Sequence, residues 1–185
     1  GVNPEEIGFC RNAAEGLQAL ISQFTGLGEG DAILWSDNDY EASQGAMISL
    51  AAARRARSVK INLPRSPTRE NVIAAYAEAI KATPRLKFVI LTHGTHRSGL
   101  VLPVPEIAAL ARAAGAAVLV DCAQSFYQRP FKLPDFGADF VAMNFHKWVG
   151  APVGIAAIWI RPGMAPMIAP APSELDAKPE DVQAK

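Results

Sequence analysis

The chain has 185 residues, half of them apolar, enough to bury one sizeable core and better suited to one domain than two. Lysine plus arginine equals aspartate plus glutamate at 18 each, so no global field draws in nucleic acid or an anionic membrane surface, and a small-molecule ligand is expected instead. Cys10 and Cys122 both lie in apolar stretches, no apolar run reaches the roughly 18 residues that span a bilayer, and the start lacks a signal-peptide pattern; a soluble, cytoplasmic protein is the expectation.

Gly1 stands where a Met would begin a chain, and an apolar segment follows almost at once, as in a piece of a longer or processed polypeptide. Ile7 to Cys10 reads as a strand. From Ala13 to Phe24 the apolar positions Leu17, Leu20, Ile21 and Phe24 recur at spacings of three and four, the period of a helix with one buried face. Gly26, Gly28 and Gly30 follow that helix and do not link a strand to one, which makes them helix-stop punctuation rather than a phosphate loop. Ala32 to Trp35 is the next strand, Ala46 to Ala56 a helix, Ser58 to Leu63 a strand and Asn71 to Lys81 a helix. Phe88 to Leu91, Ala117 to Val120, Phe140 to Met143 and Ile155 to Ile160 are further strands, with a helix over Ile107 to Ala114. This alternation predicts an α/β fold, a three-layer α/β/α sandwich around a seven-stranded, mainly parallel sheet, occupying residues 1–161. Beyond Arg161 the composition turns to Pro, Ala and Met and then to charge without an apolar period, which predicts a linker or frayed tail over 162–185.

In a parallel sheet the carboxyl ends of the strands share one edge, and ligands bind in the crevice beyond it. Polar residues gather at three such ends: Thr92 and His93; Asp121; and Asn144, His146 and Lys147. Asn12 precedes the first helix as a good N-cap, and the free N–H groups of the first turn make either an ordinary capped start or an anion site. Asp121, at the end of an apolar run, needs a cationic partner or several donors, although an Asp capping the next turn would satisfy the same position. Lys147 lies between His146 and Trp148 in a setting that could shield it from water and favour the nucleophilic neutral amine; alone it reads far more readily as a snorkelling surface lysine.

Taken together, Asp121-Cys122-Ala123-Gln124, Asn144-Phe145-His146-Lys147-Trp148, Asn12-Ala13-Ala14-Glu15-Gly16-Leu17 and Gly137-Ala138-Asp139-Phe140 resemble the core of the class V aminotransferases, fold-type I pyridoxal-phosphate enzymes, from about Ile7 to Arg161. Isopenicillin N epimerase-like members and cysteine desulfurases look nearest. The resemblance implies that Lys147 holds pyridoxal 5'-phosphate through a Schiff base and then moves protons, and that Asp121 pairs with the pyridine nitrogen. It further implies that Gln124 donates to the phenolic oxygen, Ala123 packs under one ring face, Tyr40 stacks on the other, and the phosphate meets the backbone of Ala13 and Ala14 and the side chains of Asn144 and His146.

Three positions depart from the family pattern. His96 stands where relatives have an Asn contacting the phenolic oxygen, and an imidazole must donate with different geometry. Ala14 replaces a Thr, and Tyr40 replaces the stacking His of desulfurases, which favours the epimerase-like branch. The family's smaller C-terminal domain, with the Arg for the substrate carboxylate and the desulfurases' catalytic Cys, has no counterpart in these residues. The expectation is a homodimeric enzyme domain acting on an amino acid or related amine, by transamination first and by epimerisation or carbon–sulfur cleavage behind it. Two other readings stay open: a non-catalytic module that keeps the fold, and a hydrolase with a metal on His93, His96, His146 and Asp121.

Overall fold

The computed structural model describes residues 1–170. Runs of β-branched and aromatic residues form β1 (Ile7–Cys10), β2 (Ala32–Ser36), β3 (Arg57–Ile61), β4 (Leu86–Thr92), β5 (Ala117–Asp121), β6 (Phe140–Asn144) and β7 (Ala156–Ile160). They make one seven-stranded sheet in the order β1-β7-β6-β5-β4-β2-β3. The pairs β2–β3, β2–β4, β4–β5 and β5–β6 are parallel, whereas β7 runs antiparallel to both β6 and β1. Since β7 alone is reversed, the carboxyl ends of all the other strands fall on one edge.

Helices α1 (Ala13–Ser22), α2 (Glu41–Ala53), α3 (Arg69–Lys81) and α4 (Val104–Ala113) cover the sheet. Leu17, Ile21 and Met47 pack with Ile33, Phe88 and Phe140 on one face. Val72, Tyr76 and Ile107 pack with Leu34, Val89 and Val118 on the other, which completes the expected α/β/α sandwich. Phe24, just past α1, stacks on Phe88 at 4.3 Å between centroids, and both meet Phe140 edge-on.

Two local arrangements aim the first helix at the sheet edge. Asn12 Oδ1 accepts from the N–H of Glu15 (2.9 Å), and the Glu15 carboxylate reaches back to the N–H of Arg11 (2.7 Å), so both capping bonds form at the start of α1. Gly16 lets α1 lie against β7: a Cβ there would come within 2.6 Å of Ile158 Cγ2. At the opposite edge Asp139, almost wholly buried, accepts from Arg161 Nε and Nη2 (2.9 and 2.6 Å) and from the N–H of Val118 (2.8 Å), clamping β5, β6 and β7.

Two expectations need correction. Helix α2 begins at Glu41, earlier than Ala46, because its leading turn is set by extended Tyr40 and by buried Ser43 rather than by an apolar period. The chain also stays on the domain beyond Arg161. Thr25 N–H donates to Met167 O and Ala169 N–H to Gln23 O, both at 2.9 Å, while Ile168 bridges to Phe24, so this stretch packs beside the end of α1. Residues 171–185 of the expected tail lie outside the described residues.

Candidate functional site

A cavity of about 310 Å³ opens at the shared carboxyl edge, within the size range of small-molecule sites. Every site residue expected from the sequence lines it except Ala13. Helix α1 supplies Ala14, the turn after β2 supplies Tyr40, and the loop after β4 supplies His96. Asp121, Ala123 and Gln124 come from the end of β5, and Asn144, His146 and Lys147 from the end of β6.

Asp121 is 4% exposed. One of its oxygens accepts the N–H of Ala123 (2.8 Å), and the other makes no hydrogen bond among the described residues. Burial pushes its carboxyl above the usual range, with the Ala123 N–H, Lys147 and His96 acting the other way. A carboxylate so placed gains from a cationic hydrogen-bond donor in the cavity.

The start of α1 also lines the cavity. Ala13 is fully buried, and its N–H donates to Asn144 Oδ1 over 2.7 Å. That donor is therefore taken up inside the protein, contrary to the expectation that it meets a phosphate. The Glu15 N–H is likewise used by Asn12. Ala14 N–H has no acceptor among the described residues, and Ala14 and Asn144 both line the cavity. His146 also lines the cavity, and its buried Nδ1 has no partner among the described residues. Backbone N–H, amide and imidazole at a helix start suit an anion.

Gln124 Oε1 accepts from Trp148 Nε1 (3.2 Å), which turns the Gln124 amide nitrogen away from that contact as a donor. Tyr40 meets the His96 imidazole edge-to-face, with centroids 5.4 Å apart. Lys147 reaches the cavity but is exposed, because the chain turns outward directly after β6; the shielding expected for it is not supplied by the described residues.

Asp39 was not legible as a site residue. It is 1% exposed and accepts from Ser36 N–H (2.7 Å), Thr92 N–H (3.1 Å) and Thr92 Oγ1 (2.8 Å), tying the end of β2 to the end of β4 directly before Tyr40. Burial pushes its carboxyl up to about 7 against those three bonds, with the Asp121 charge adding to the rise. The sequence offers only a polar Asp37-Asn38-Asp39 turn there.

The convergence needed for a metal reading is missing. No group of three or more His, Cys, Asp or Glu side chains stands together among the described residues. His93 instead packs edge-on against Phe131 and Phe136. No helix among the described residues is long and apolar enough to cross a membrane.

The lining thus brings together a buried carboxylate at Asp121, a helix start at α1 and the primary amine of Lys147. The family model described as aminotransferase class-V matches residues 1–173. Isopenicillin N epimerase of Streptomyces clavuligerus is 28% identical over 163 residues, 88% of this chain and 40% of its own length. A cysteine desulfurase of Yersinia pestis is 31% identical over 158 residues, 84% of this chain and 37% of its own. Among solved structures, a mutant of C-DES with glycine covalently linked to the PLP cofactor superposes with a TM-score of 0.84 at 25% identity, covering 92% of this chain and 44% of that one. The chain spans less than half the length of each of these relatives.

Proposed function

The chain belongs to the class-V aminotransferase family, and from that premise we propose that it is the cofactor-binding large domain of a pyridoxal-phosphate-dependent enzyme acting on an amino acid or related amine. The observation that carries this reading is Asp121, a buried carboxylate with one oxygen held by Ala123 and the other open to a cavity that also contains the Lys147 amine and the start of α1. Asp121 would hold the ring nitrogen protonated. Ala14 N–H, Asn144 and His146 would hold the phosphate, with Tyr40 and Ala123 on the two ring faces and Gln124 donating at the ring edge. When bound, the cofactor supplies an aldehyde that takes up a primary amine and a ring that accepts electrons from the substrate. Lys147 Nζ is the amine that anchors it and, once free, the group that carries protons to and from the substrate's α-carbon.

Relatives named for cysteine desulfuration and for epimerisation support carbon–sulfur cleavage or epimerisation of an amino acid at this site; transamination is the family's eponymous alternative. Lys147 and Trp148 are both exposed beside the cavity, a rim that a second copy in a homodimer would cover.

The test needs no substrate. Pyridoxal phosphate added to the chain gives a visible absorption band, and borohydride reduction followed by peptide mass spectrometry places the label on Lys147. Lys147→Ala loses both. A label on another lysine, or a band that survives in the variant, rules the assignment out.

A further inference from the structure

We infer that Glu41 is a positioning residue for His96: it holds the imidazole with Nε2 toward its carboxylate and leaves Nδ1 as a hydrogen-bond acceptor for the ring hydroxyl of the bound cofactor. The inference rests on the pyridoxal-phosphate reading above.

Glu41 is the first residue of α2, directly after Tyr40. Its carboxyl is held below the usual range, chiefly by its own backbone N–H at the helix start and then by Arg97 and His96, so the group is an anion that can only accept. One oxygen pairs with the Arg97 guanidinium, and the other stands 3.4 Å from His96 Nε2. The Tyr40 ring meets the imidazole at 88° on another side. His96 is thus fixed by a carboxylate and a ring while it lines the cavity. Asp121 at the end of β5 and His146 and Lys147 beyond β6 line the same cavity as His96.

A neutral imidazole carries one N–H. Facing a carboxylate, that proton belongs on Nε2, and the lone pair is then on Nδ1, which makes no hydrogen bond among the described residues. With the ring nitrogen at Asp121 and the phosphate at α1, the polar group left on the ring is its hydroxyl. Gln124 offers that oxygen a donor, because Trp148 occupies the amide's acceptor side. His96 Nδ1 supplies the complementary acceptor for the hydroxyl proton. The pair therefore shifts the ring oxygen's equilibrium toward its protonated form, and a chromophore with a protonated oxygen absorbs at shorter wavelength than the ionised one, which still supplies the visible band.

Absorption spectra of the full chain loaded with pyridoxal phosphate, taken at about pH 8, test this. Glu41→Ala raises the ratio of visible to near-ultraviolet absorbance about two- to tenfold, the equilibrium change expected for loss of the one hydrogen bond that His96 makes to the ring hydroxyl. His96→Phe raises it likewise, and the double variant does no more than His96→Phe alone. Glu41 is half exposed, so its removal leaves the fold intact, as far-ultraviolet circular dichroism would record. An unchanged ratio in Glu41→Ala, or an equal rise from Glu41→Ala in the His96→Phe background, overturns the inference alone. Parent protein that carries no cofactor on Lys147 overturns the functional reading and the inference with it.

Discussion

Asn144 Oδ1 accepts the backbone N–H of Ala13 over 2.7 Å, and this bond fastens the start of α1 to the end of β6 across 131 positions of sequence. Both residues are buried, so Asn144→Ala leaves the Ala13 N–H without an acceptor, at a cost of about 1–3 kcal/mol. Asn144→Asp keeps the acceptor and adds negative charge at a helix start, which offsets part of its own desolvation. Urea unfolding of the two variants should therefore separate them, with the Asp form the more stable. Equal losses would mean that side-chain volume, not the hydrogen bond, stabilises this junction.

Two buried groups give the fold opposing responses to pH. The folded state holds the Asp39 carboxyl at about 7, above its ordinary 3.8, so Asp39 contributes stability at low pH that is lost as pH rises through about 7. His93, buried among aromatic rings with Arg129 adding a smaller effect, is pushed down to about 4 from 6.5. Its contribution is complete above 6.5 and is lost as pH falls through about 4. Each slope is about 1.4 kcal/mol per pH unit, and between them the two cancel over the window they share. Relative to the parent, His93→Phe should gain about 3 kcal/mol on acidification from near pH 7 to near pH 4. Asp39→Asn should gain about 4 kcal/mol relative to the parent on moving the other way. Difference curves from denaturant titrations at several pH values read the slopes apart from any constant loss. Flat curves would mean that the two groups titrate alike in the folded and unfolded chains.

Strands were the most legible part of this fold because each is a short β-branched or aromatic run, as in Ala117–Asp121 and Phe140–Asn144. The reversal of β7 was not legible: Ala156–Ile160 is as apolar as its parallel neighbours, and only its pairing with Ile7–Cys10 and Phe140–Asn144 fixes its direction. At the site, Asp121 stood out because a charge ends an apolar run, and Lys147 stood out only through its constellation with Asp121 and Asn144-Phe145-His146. Asp39 did not, since it sits in a polar turn and its partner Thr92 lies 53 positions away. The coupling of Ala13 to Asn144 was hidden for the same reason: both residues were recognised, but a sequence does not say whether two polar groups meet a ligand or each other.

Gly16 tests how closely α1 must approach the sheet for the site to form. In an exposed helix, Gly→Ala stabilises by about 1 kcal/mol through backbone entropy. Here the new Cβ would lie 2.6 Å from Ile158 Cγ2 and 3.1 Å from Cys10 Sγ. The methyl it meets on Ile158 branches directly from a strand Cβ, so it cannot swing aside as a long side chain could, and α1 must shift. Overpacking of this kind costs about 1–3 kcal/mol, which outweighs the helix gain. Gly16→Ala should therefore lower the melting temperature and, by moving the helix start, weaken pyridoxal-phosphate binding as read by absorbance titration. Adding Ile158→Ala removes the obstructing methyl and should restore binding more than it restores stability, because the second change leaves a cavity of its own. Should Gly16→Ala bind the cofactor as the parent does, α1 has slack against β7 and its position is not what holds the phosphate end of the site.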